Sequence, residues 1–263
     1  MSDEKSLKYN EPWILQRADP YVYRHTDGSY YFTASVPAYD GIVLRRAGSL
    51  ADLSGAKEVM IWKKHESGPR SYHIWAPEIH YLFGKWYIYF AGGEKEDIWK
   101  IRPYVLECSG DDPLTDEWVE LGKMKRAAED EFSFEAFSLD ATVFENKGEY
   151  YYVWAEKVGV GKMISNIYIA KMESGNQLKT VQVLLTTPDY DWERKGFWVN
   201  EGPAVIHHDG KLFLTYSASE TGVDYCVGML SIDEDADLLD PHLWKKERYP
   251  VLKTCEKLGI YGP

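Results

Sequence analysis

The chain repeats one phrase four times, a tight turn between runs of aromatic and β-branched residues. The phrases are TDGSYYFTAS, FGKWYIYFAG, NKGEYYYVWA and HDGKLFLTYS, at residues 26–35, 83–92, 146–155 and 208–217. Their turn glycines are Gly28, Gly84, Gly148 and Gly210, which are 56, 64 and 62 residues apart. Glycine accepts the positive φ of a tight hairpin turn, and the flanking residue types favour strands. The repeat therefore predicts four hairpins of one type along the chain.

Two further strand candidates follow each hairpin, which gives about four strands per repeat, the number in a propeller blade. The first of the two is IVLRRA, YVLECS, IYIAKM or YCVGML in successive repeats. We therefore predict an all-β propeller forming a single catalytic domain over residues 1–263. The sequence stops where another blade would open, so either the ends close the ring or the C-terminal blade is incomplete in this chain.

A carboxylate precedes each turn glycine. These residues are Asp19 in ADPYVYR, Glu78 in WAPEIHY, Asp140 in SLDATVF and Glu201 in NEGPAVI. If the repeats are equivalent blades, the four side chains belong to equivalent strand starts and converge on one central channel. Like charges repel and are costly to bury, so this gathering indicates a functional site.

The composition excludes some partners. The net charge is −12, and no basic patch interleaves with aromatic residues, so nucleic acid and anionic membranes are poor partners. Three distant cysteines, Cys108, Cys226 and Cys255, show no metal-ligand spacing and favour a reducing compartment. The N-terminal MSDEKSLKYN lacks the apolar core of a signal peptide. We therefore expect a cytoplasmic protein, or a secreted one if the sequence begins after a cleaved signal.

Three of the four acids suit the chemistry of inverting glycoside hydrolysis. One carboxylic acid protonates the leaving oxygen, and one carboxylate activates a water on the opposite face, with about 6.5–9.5 Å between the two. A third carboxylate near the acid raises the pKa of that acid by repulsion. Asp19, Asp140 and Glu201 could fill these three roles.

The fragments ADPYV, WAPEIH, SLDATVF and NEGPAVI, in this order and spacing, resemble glycoside hydrolase family 43. The members of that family are five-bladed β-propeller enzymes that act on arabinose- and xylose-containing glycans. The resemblance implies that Asp19 is the general base and Glu201 the general acid. It also implies that Asp140 orients the acid and raises its pKa. The fold expected for this chain is therefore a five-bladed propeller with an incomplete C-terminal blade.

The resemblance favours an inverting enzyme that removes terminal α-L-arabinofuranosyl groups from arabinose- or xylose-containing oligosaccharides. A β-xylosidase active in xylan degradation and an arabinanase would use the same machinery. A non-catalytic glycan-binding propeller is a different class, but binding alone does not require three acids in equivalent strand positions. A protein-interaction propeller would be expected to show regular short repeats, which this sequence lacks.

The candidate substrate-binding residues flank the acids in the sequence. Trp75 could offer an aromatic face to a sugar or be a core residue. Asn200 could bind a sugar hydroxyl or cap its strand. The other candidates are Glu78 (which could instead line the channel wall), Phe137, Ser138, Asn166 and Trp198.

No metal ligands are expected from the histidines, because His73, His80, His207 and His208 lack the spacing of a zinc site. No cofactor is expected to be required. Many family members carry a fifth-blade histidine, which in some helps to hold a cation or a water at the channel centre. A structural calcium ion in the channel is therefore an alternative, although this sequence ends before such a histidine.

Overall fold

The computed structural model describes residues 12–160 and 162–263. The N-terminal stretch on which the expected location partly rested, residues 1–11, lies outside the described residues. The described residues form eighteen strands, with short 3₁₀ turns at Ala51–Ser54, Asp191–Glu193, Pro241–Leu243 and Glu256–Leu258. The strands are β1 Ala18–Arg24, β2 Tyr30–Ser35, β3 Gly41–Ala47, β4 Val59–Lys63, β5 Pro69–Leu82, β6 Lys85–Glu94, β7 Asp97–Cys108, β8 Val119–Lys123, β9 Ser138–Asn146, β10 Glu149–Val160, β11 Lys162–Ser174, β12 Gln177–Leu178, β13 Val183–Thr186, β14 Trp198–His208, β15 Lys211–Ala218, β16 Cys226–Asp233, β17 Lys245–Lys246 and β18 Leu252–Lys253.

These strands form four antiparallel blade sheets in chain order. Blade 1 has the order β1-β2-β3-β4 and blade 2 the order β5-β6-β7-β8. Blade 3 has the order β9-β10-β11, with β12 and β13 pairing along β11. Blade 4 has the order β14-β15-β16-β17, and β18 also pairs with β16. A short parallel pairing between β11 and β14 joins blades 3 and 4.

The four repeated phrases are the hairpins between the first and second strands of the blades. Each turn glycine has a positive φ, between 72° and 89°, as the tight turn requires. The strand candidates that follow each hairpin are the third strands of the four blades, and shorter fourth strands lie outside them. The prediction of an all-β propeller with about four strands per repeat is confirmed.

Apolar faces of neighbouring blades pack on each other. Tyr31 and Leu44 of blade 1 pack in one cluster with Trp86 and Ile88 of blade 2. The next cluster joins blades 2 and 3, and a third joins blades 3 and 4. The first strands of successive blades also pack on one another, β1 on β5, β5 on β9 and β9 on β14, and so they line a common centre.

Two further features of the described residues bear on the expectations above. All three cysteines are free thiols, with Cys108 and Cys226 buried and Cys255 half-buried. None of the helical segments is long and apolar enough to cross a membrane, within the part of the chain that the structure describes.

Candidate active site

The first strand of every blade carries a β-bulge at the same place. In each blade two residues of the first strand oppose one residue of the second strand, as the flanking pairs show. These pairs are Ala18–Ser35 and Tyr21–Thr33, Trp75–Ala91 and Glu78–Tyr89, Leu139–Ala155 and Thr142–Val153, and Glu201–Ser217 and Ala204–Thr215. A bulge re-aims the side chains beside it and is frequent near active sites.

The first residue of each bulge has a left-handed backbone conformation. Asp19, Ala76, Asp140 and Gly202 have φ values of 50°, 44°, 52° and 58°. For a residue other than glycine this conformation costs about 1–2 kcal/mol, so the fold holds two carboxylates in strained backbone positions. Proline follows the bulge residue in three of the four blades, at Pro20, Pro77 and Pro203.

The expectation that four acids belong to equivalent strand positions is therefore wrong in part. Asp19 and Asp140 are equivalent, because both open the bulge of their blade. Glu201 lies one residue before its bulge, and Glu78 lies two residues after the bulge residue Ala76. Since side chains alternate along a strand and the bulge adds one residue, these offsets decide which cavity each acid faces.

Two cavities meet at the bulges. The first, which we call the acidic pocket, measures about 350 Å³ and is lined by the pre-bulge residues Ala18, Trp75, Leu139 and Glu201. The second, the channel cavity, measures about 480 Å³ and is lined by post-bulge residues that include Tyr21, Glu78 and Ala204. Both cavities are lined by Asp19, Asp140 and Tyr225. The structure thus brings Asp19, Asp140 and Glu201 together around the acidic pocket.

Each of these three acids accepts a hydrogen bond that orients its carboxyl group. The Ser35 hydroxyl donates to Asp19 Oδ2 at 2.7 Å, and the Gly202 N–H donates to Asp140 Oδ2 at 3.1 Å. The Tyr225 hydroxyl donates to Glu201 Oε1 at 2.8 Å. One oxygen of each acid is therefore held.

Burial and repulsion between carboxylates raise the pKa values of Asp140 and Glu201. Burial, the Glu201 charge and the Asp19 charge together raise the pKa of Asp140 well above its ordinary value. Burial also raises the pKa of Glu201, and the Asp19 charge adds to this rise, while Tyr225 and Lys157 oppose it. The pair of Asp140 and Glu201 therefore retains a proton at a pH at which an isolated carboxyl group has lost it.

Lys157 and Tyr225 are pocket residues that the sequence analysis did not identify. The Lys157 ammonium lies 3.8 Å from the centre of the Phe137 ring, and burial lowers its pKa while the Glu201 charge opposes this shift. Burial and the neighbouring Glu201 raise the pKa of Tyr225. Tyr225 is one of twenty tyrosines and carries no motif, whereas Lys157 closely follows the third repeated phrase and could have been considered.

Two of the predicted substrate-binding residues, Trp75 and Phe137, line the acidic pocket. Glu78 lines the channel cavity instead, where its Oε2 lies 2.9 Å from His80 Nε2. Burial raises the pKa of Glu78, and the His80 hydrogen bond opposes this rise. Glu78 therefore corresponds to the channel-wall interpretation and does not face the acidic pocket.

Four other predicted substrate contacts do not line the acidic pocket, and their side chains contact other parts of the protein, so a role in substrate binding stays a prediction for them. Ser138 is fully buried and donates to the Ala136 carbonyl, and Asn166 donates to the Tyr168 hydroxyl. Asn200 is also fully buried and donates to Glu193 Oε1. Trp198 packs under the Arg194 guanidinium, 4.4 Å from the ring centre. These side chains support the backbone around the acids.

Within residues 12–160 and 162–263, no group of three or more His, Cys, Asp or Glu side chains is arranged to hold a metal ion. The acids of the channel cavity are spread over different first strands, and His80 is bonded to Glu78. A structural calcium ion remains a prediction.

Comparison with known proteins relates this geometry to a family. Glycosyl hydrolases family 43 matches the chain over residues 9–263. An extracellular exo-α-(1→5)-L-arabinofuranosidase of Streptomyces avermitilis is 48% identical, with 98% of this chain and 52% of the relative covered. A Streptomyces chartreusis protein with the same description is 46% identical, with coverages of 97% and 76%. The chain thus spans about half the length of the first relative and three quarters of the second.

A solved structure shares the architecture. The crystal structure of an α-L-arabinofuranosidase from Lactobacillus brevis is 50% identical to this chain and superposes with a TM-score of 0.88. The match covers 96% of this chain and 79% of that one. A thermostable family-43 glycoside hydrolase of 24% identity and a TM-score of 0.73 shares the fold. The predicted all-β propeller fold is confirmed by these likenesses together with the four blade sheets of the described residues.

The same relatives contradict the expected location. Both Streptomyces proteins are described as extracellular, which overturns the prediction of a cytoplasmic protein. The prediction failed because free cysteines and a polar first segment do not determine where a folded β-propeller works. The resemblance inferred from four short fragments, in contrast, is confirmed. The chain belongs to glycosyl hydrolase family 43.

Proposed function

We propose that the chain hydrolyses terminal α-L-arabinofuranosyl groups from arabinose-containing oligosaccharides, with inversion at the anomeric carbon. The observation that carries the proposal is the convergence of Asp19, Asp140 and Glu201 on one cavity of about 350 Å³. The sugar class comes from the names of relatives with 40–48% identity, all arabinofuranosidases. The extracellular description of two of them supports a secreted protein.

In this proposal Glu201 is the general acid. It lines the acidic pocket, and the Tyr225 hydroxyl occupies Oε1, which leaves Oε2 to carry the proton. Its raised pKa favours the protonated form, which a general acid needs near neutral pH. The proton passes to the glycosidic oxygen as the bond to the sugar breaks.

Asp19 is the proposed general base. Ser35 holds its Oδ2, so that Oδ1 can accept a proton from the attacking water. The Ser35 hydroxyl also accepts the Ala76 N–H at 2.8 Å, which ties the base to the bulge of blade 2. This bridge limits the freedom of Asp19 and supports one orientation of the water.

Asp140 is proposed to raise the pKa of the general acid, Glu201. The Gly202 N–H stabilises its ionised form, and its charge then repels a charge on Glu201. Because this repulsion is mutual, an ionised Asp140 keeps the proton on Glu201. The two carboxyl groups therefore titrate as one unit.

The test is hydrolysis of 4-nitrophenyl α-L-arabinofuranoside and 4-nitrophenyl β-D-xyloside side by side, followed by proton NMR. We expect turnover of the arabinoside, with the inverted β-anomer of arabinose appearing before mutarotation. Turnover of the xyloside alone would replace the proposed sugar. First appearance of the α-anomer would exclude inversion, and silence on both substrates and on arabino-oligosaccharides would remove the proposed activity.

A further inference from the structure

Aromatic rings continue from the acidic pocket onto the surface of blade 2. Trp75 lines the pocket, and its ring centre lies 4.2 Å from that of His73. The His73 ring in turn lies 5.3 Å from Trp99, which is 61% exposed. Tyr39, another residue of the pocket, meets Trp75 edge-on at 5.9 Å. We call Tyr39, His73, Trp75 and Trp99 the aromatic platform.

The backbone of blade 2 is shaped to present this platform. A second bulge in β5 lies between the pairs Tyr72–Gly93 and Trp75–Ala91, and His73 within it has a φ of 49°. A left-handed histidine in a strand is strained, and such strain collects at ligand sites. Trp99 stands near the start of β7, and Lys100 in the same stretch forms an ion pair with Glu94 at 3.1 Å.

The His73 ring packs against both indoles. Its Nε2 is buried and has no hydrogen-bond partner among the described residues. Burial lowers the pKa of His73, and the Lys64 charge adds to this shift. The three rings form one cluster, in which the centres of the two indoles lie 6.4 Å apart.

Trp99 lies beside His73 and Trp75 on one side, and the rest of its ring faces solvent. Trp99 would be more stable in contact with an apolar surface, and exposed aromatic patches commonly mark binding sites. The platform is continuous with the acidic pocket, so its ligand is the part of the substrate that extends out of the pocket. Sugars present flat C–H faces, which stack on aromatic rings.

We propose that the aromatic platform binds the sugar units on the leaving-group side of a linear α-linked arabino-oligosaccharide. The inference rests on the proposed function and specifies its substrate as a chain of several units. Trp75 contacts the unit next to the cleaved bond, and Trp99 contacts a unit farther out. The platform therefore favours linear oligosaccharides over arabinosides with a short leaving group.

The experiment compares Trp99→Ala with Phe83→Ala. Phe83 is 42% exposed and lies in the turn just after β5, at the opposite end of the strand from the platform. The kcat/KM ratio of linear α-1,5-arabinotriose to 4-nitrophenyl α-L-arabinofuranoside is measured for each variant. We expect Trp99→Ala to lower this ratio about tenfold, the factor that corresponds to about 1.4 kcal/mol. Phe83→Ala should leave the ratio at the wild-type value.

Binding provides a readout that does not depend on turnover. Titration calorimetry of arabinotriose into Glu201→Gln, with and without Trp99→Ala, should show about tenfold weaker binding in the double variant. An unchanged ratio and unchanged arabinotriose binding would overturn the platform while leaving the proposed function intact. If Trp99→Ala weakened the binding of xylotriose and left arabinotriose binding unaltered, the platform would bind xylo-oligosaccharides and the proposal would be wrong. Inactivity of the wild-type protein on both arabinosides would instead contradict the proposed function.

Discussion

Two glutamates near the start of blade 4, the fully buried Glu193 and the half-buried Glu201, have opposite environments. Glu193 is fully buried and accepts hydrogen bonds from Asn200, Tyr216 and Lys246 and from two backbone N–H groups. Glu201 accepts one from Tyr225 and lies near other carboxylates. A buried carboxylate that is paired and fully hydrogen-bonded, such as Glu193, stabilises a particular packing. A carboxyl group whose partners only partly offset burial and repulsion, such as Glu201, keeps a raised pKa and is available for chemistry.

Strand alternation separates these two environments. Asn200 and Glu201 are consecutive in β14, and their side chains point to opposite faces. Asn200 reaches the Glu193 cluster, while Glu201 reaches the acidic pocket. The cluster thus anchors the strand from behind and leaves the catalytic face free. The comparison teaches that the residue beside a candidate acid can be its support, as Asn200 is here.

The largest expected effect is the loss of activity on substitution of Glu201. Glu201→Gln should lower kcat/KM on arabinotriose about 10²–10⁴-fold, because proton donation to the leaving oxygen is lost. The loss on 4-nitrophenyl arabinofuranoside should be smaller, since 4-nitrophenolate leaves without a proton. The melting temperature should stay the same or rise, because a buried carboxyl group under repulsion is replaced by a neutral amide. Equal losses on both substrates would exclude Glu201 as the general acid.

Substitution of Glu193 should show the reverse pattern, a loss of stability with little loss of activity. Glu193→Gln should reduce the free energy of unfolding by about 3 kcal/mol, at the lower end for a broken buried ion pair, because Asp189 still pairs with Lys246. Urea unfolding measures this loss. Glu247→Gln, an exposed change next to Lys246, is the control and should stay within about 0.5 kcal/mol of wild type. If Glu193→Gln were as stable as wild type but lost activity on arabinotriose more than on the 4-nitrophenyl arabinoside, Glu193 would take part in acid catalysis and the division of roles between the two glutamates would be wrong.

A smaller effect, on the pH profile of kcat/KM, is expected from substitution of Asp140. In the proposed roles, Asp140→Asn removes the carboxylate that repels a charge on Glu201, so the basic limb of the kcat/KM profile should move about one unit to lower pH. In the wild type, the folded state binds more protons than the unfolded state above the ordinary carboxyl pKa. Stability should therefore fall as pH rises through the raised pKa values of Asp140 and Glu201. A flatter stability profile in Asp140→Asn, measured by thermal unfolding across pH, would support the coupling, and an unmoved basic limb would argue against it.

The hairpin repeat was readable because it depends on local chemistry. Glycine at a tight turn and aromatic or β-branched residues beside it predicted the strands from Tyr30–Ser35 to Cys226–Asp233. The three acids of the pocket were found from their position before these turns and from their resemblance to a family. The bulges were missed, although Pro20, Pro77 and Pro203 mark three of them.

The substrate contacts were harder to predict, because adjacency in sequence does not give direction. Ser138 and Asn200 flank the acids but turn into the protein, while Lys157 and Tyr225 come from other strands and reach the pocket. Trp99 extends the pocket from a hairpin that carries no motif. These placements depend on strand register and on the packing of one blade against the next.

The sequence by itself therefore determined the strands, their grouping into blades and the identity of the three acids, since turn chemistry and residue pattern act over a few positions. Only the tertiary structure decided which acid faces which cavity and which carboxyl groups are uncompensated. The physical reason is the single extra residue of each bulge, which reverses the facing of the side chains beyond it. Repulsion between carboxylates of different blades acts only after the blades have assembled around their common centre.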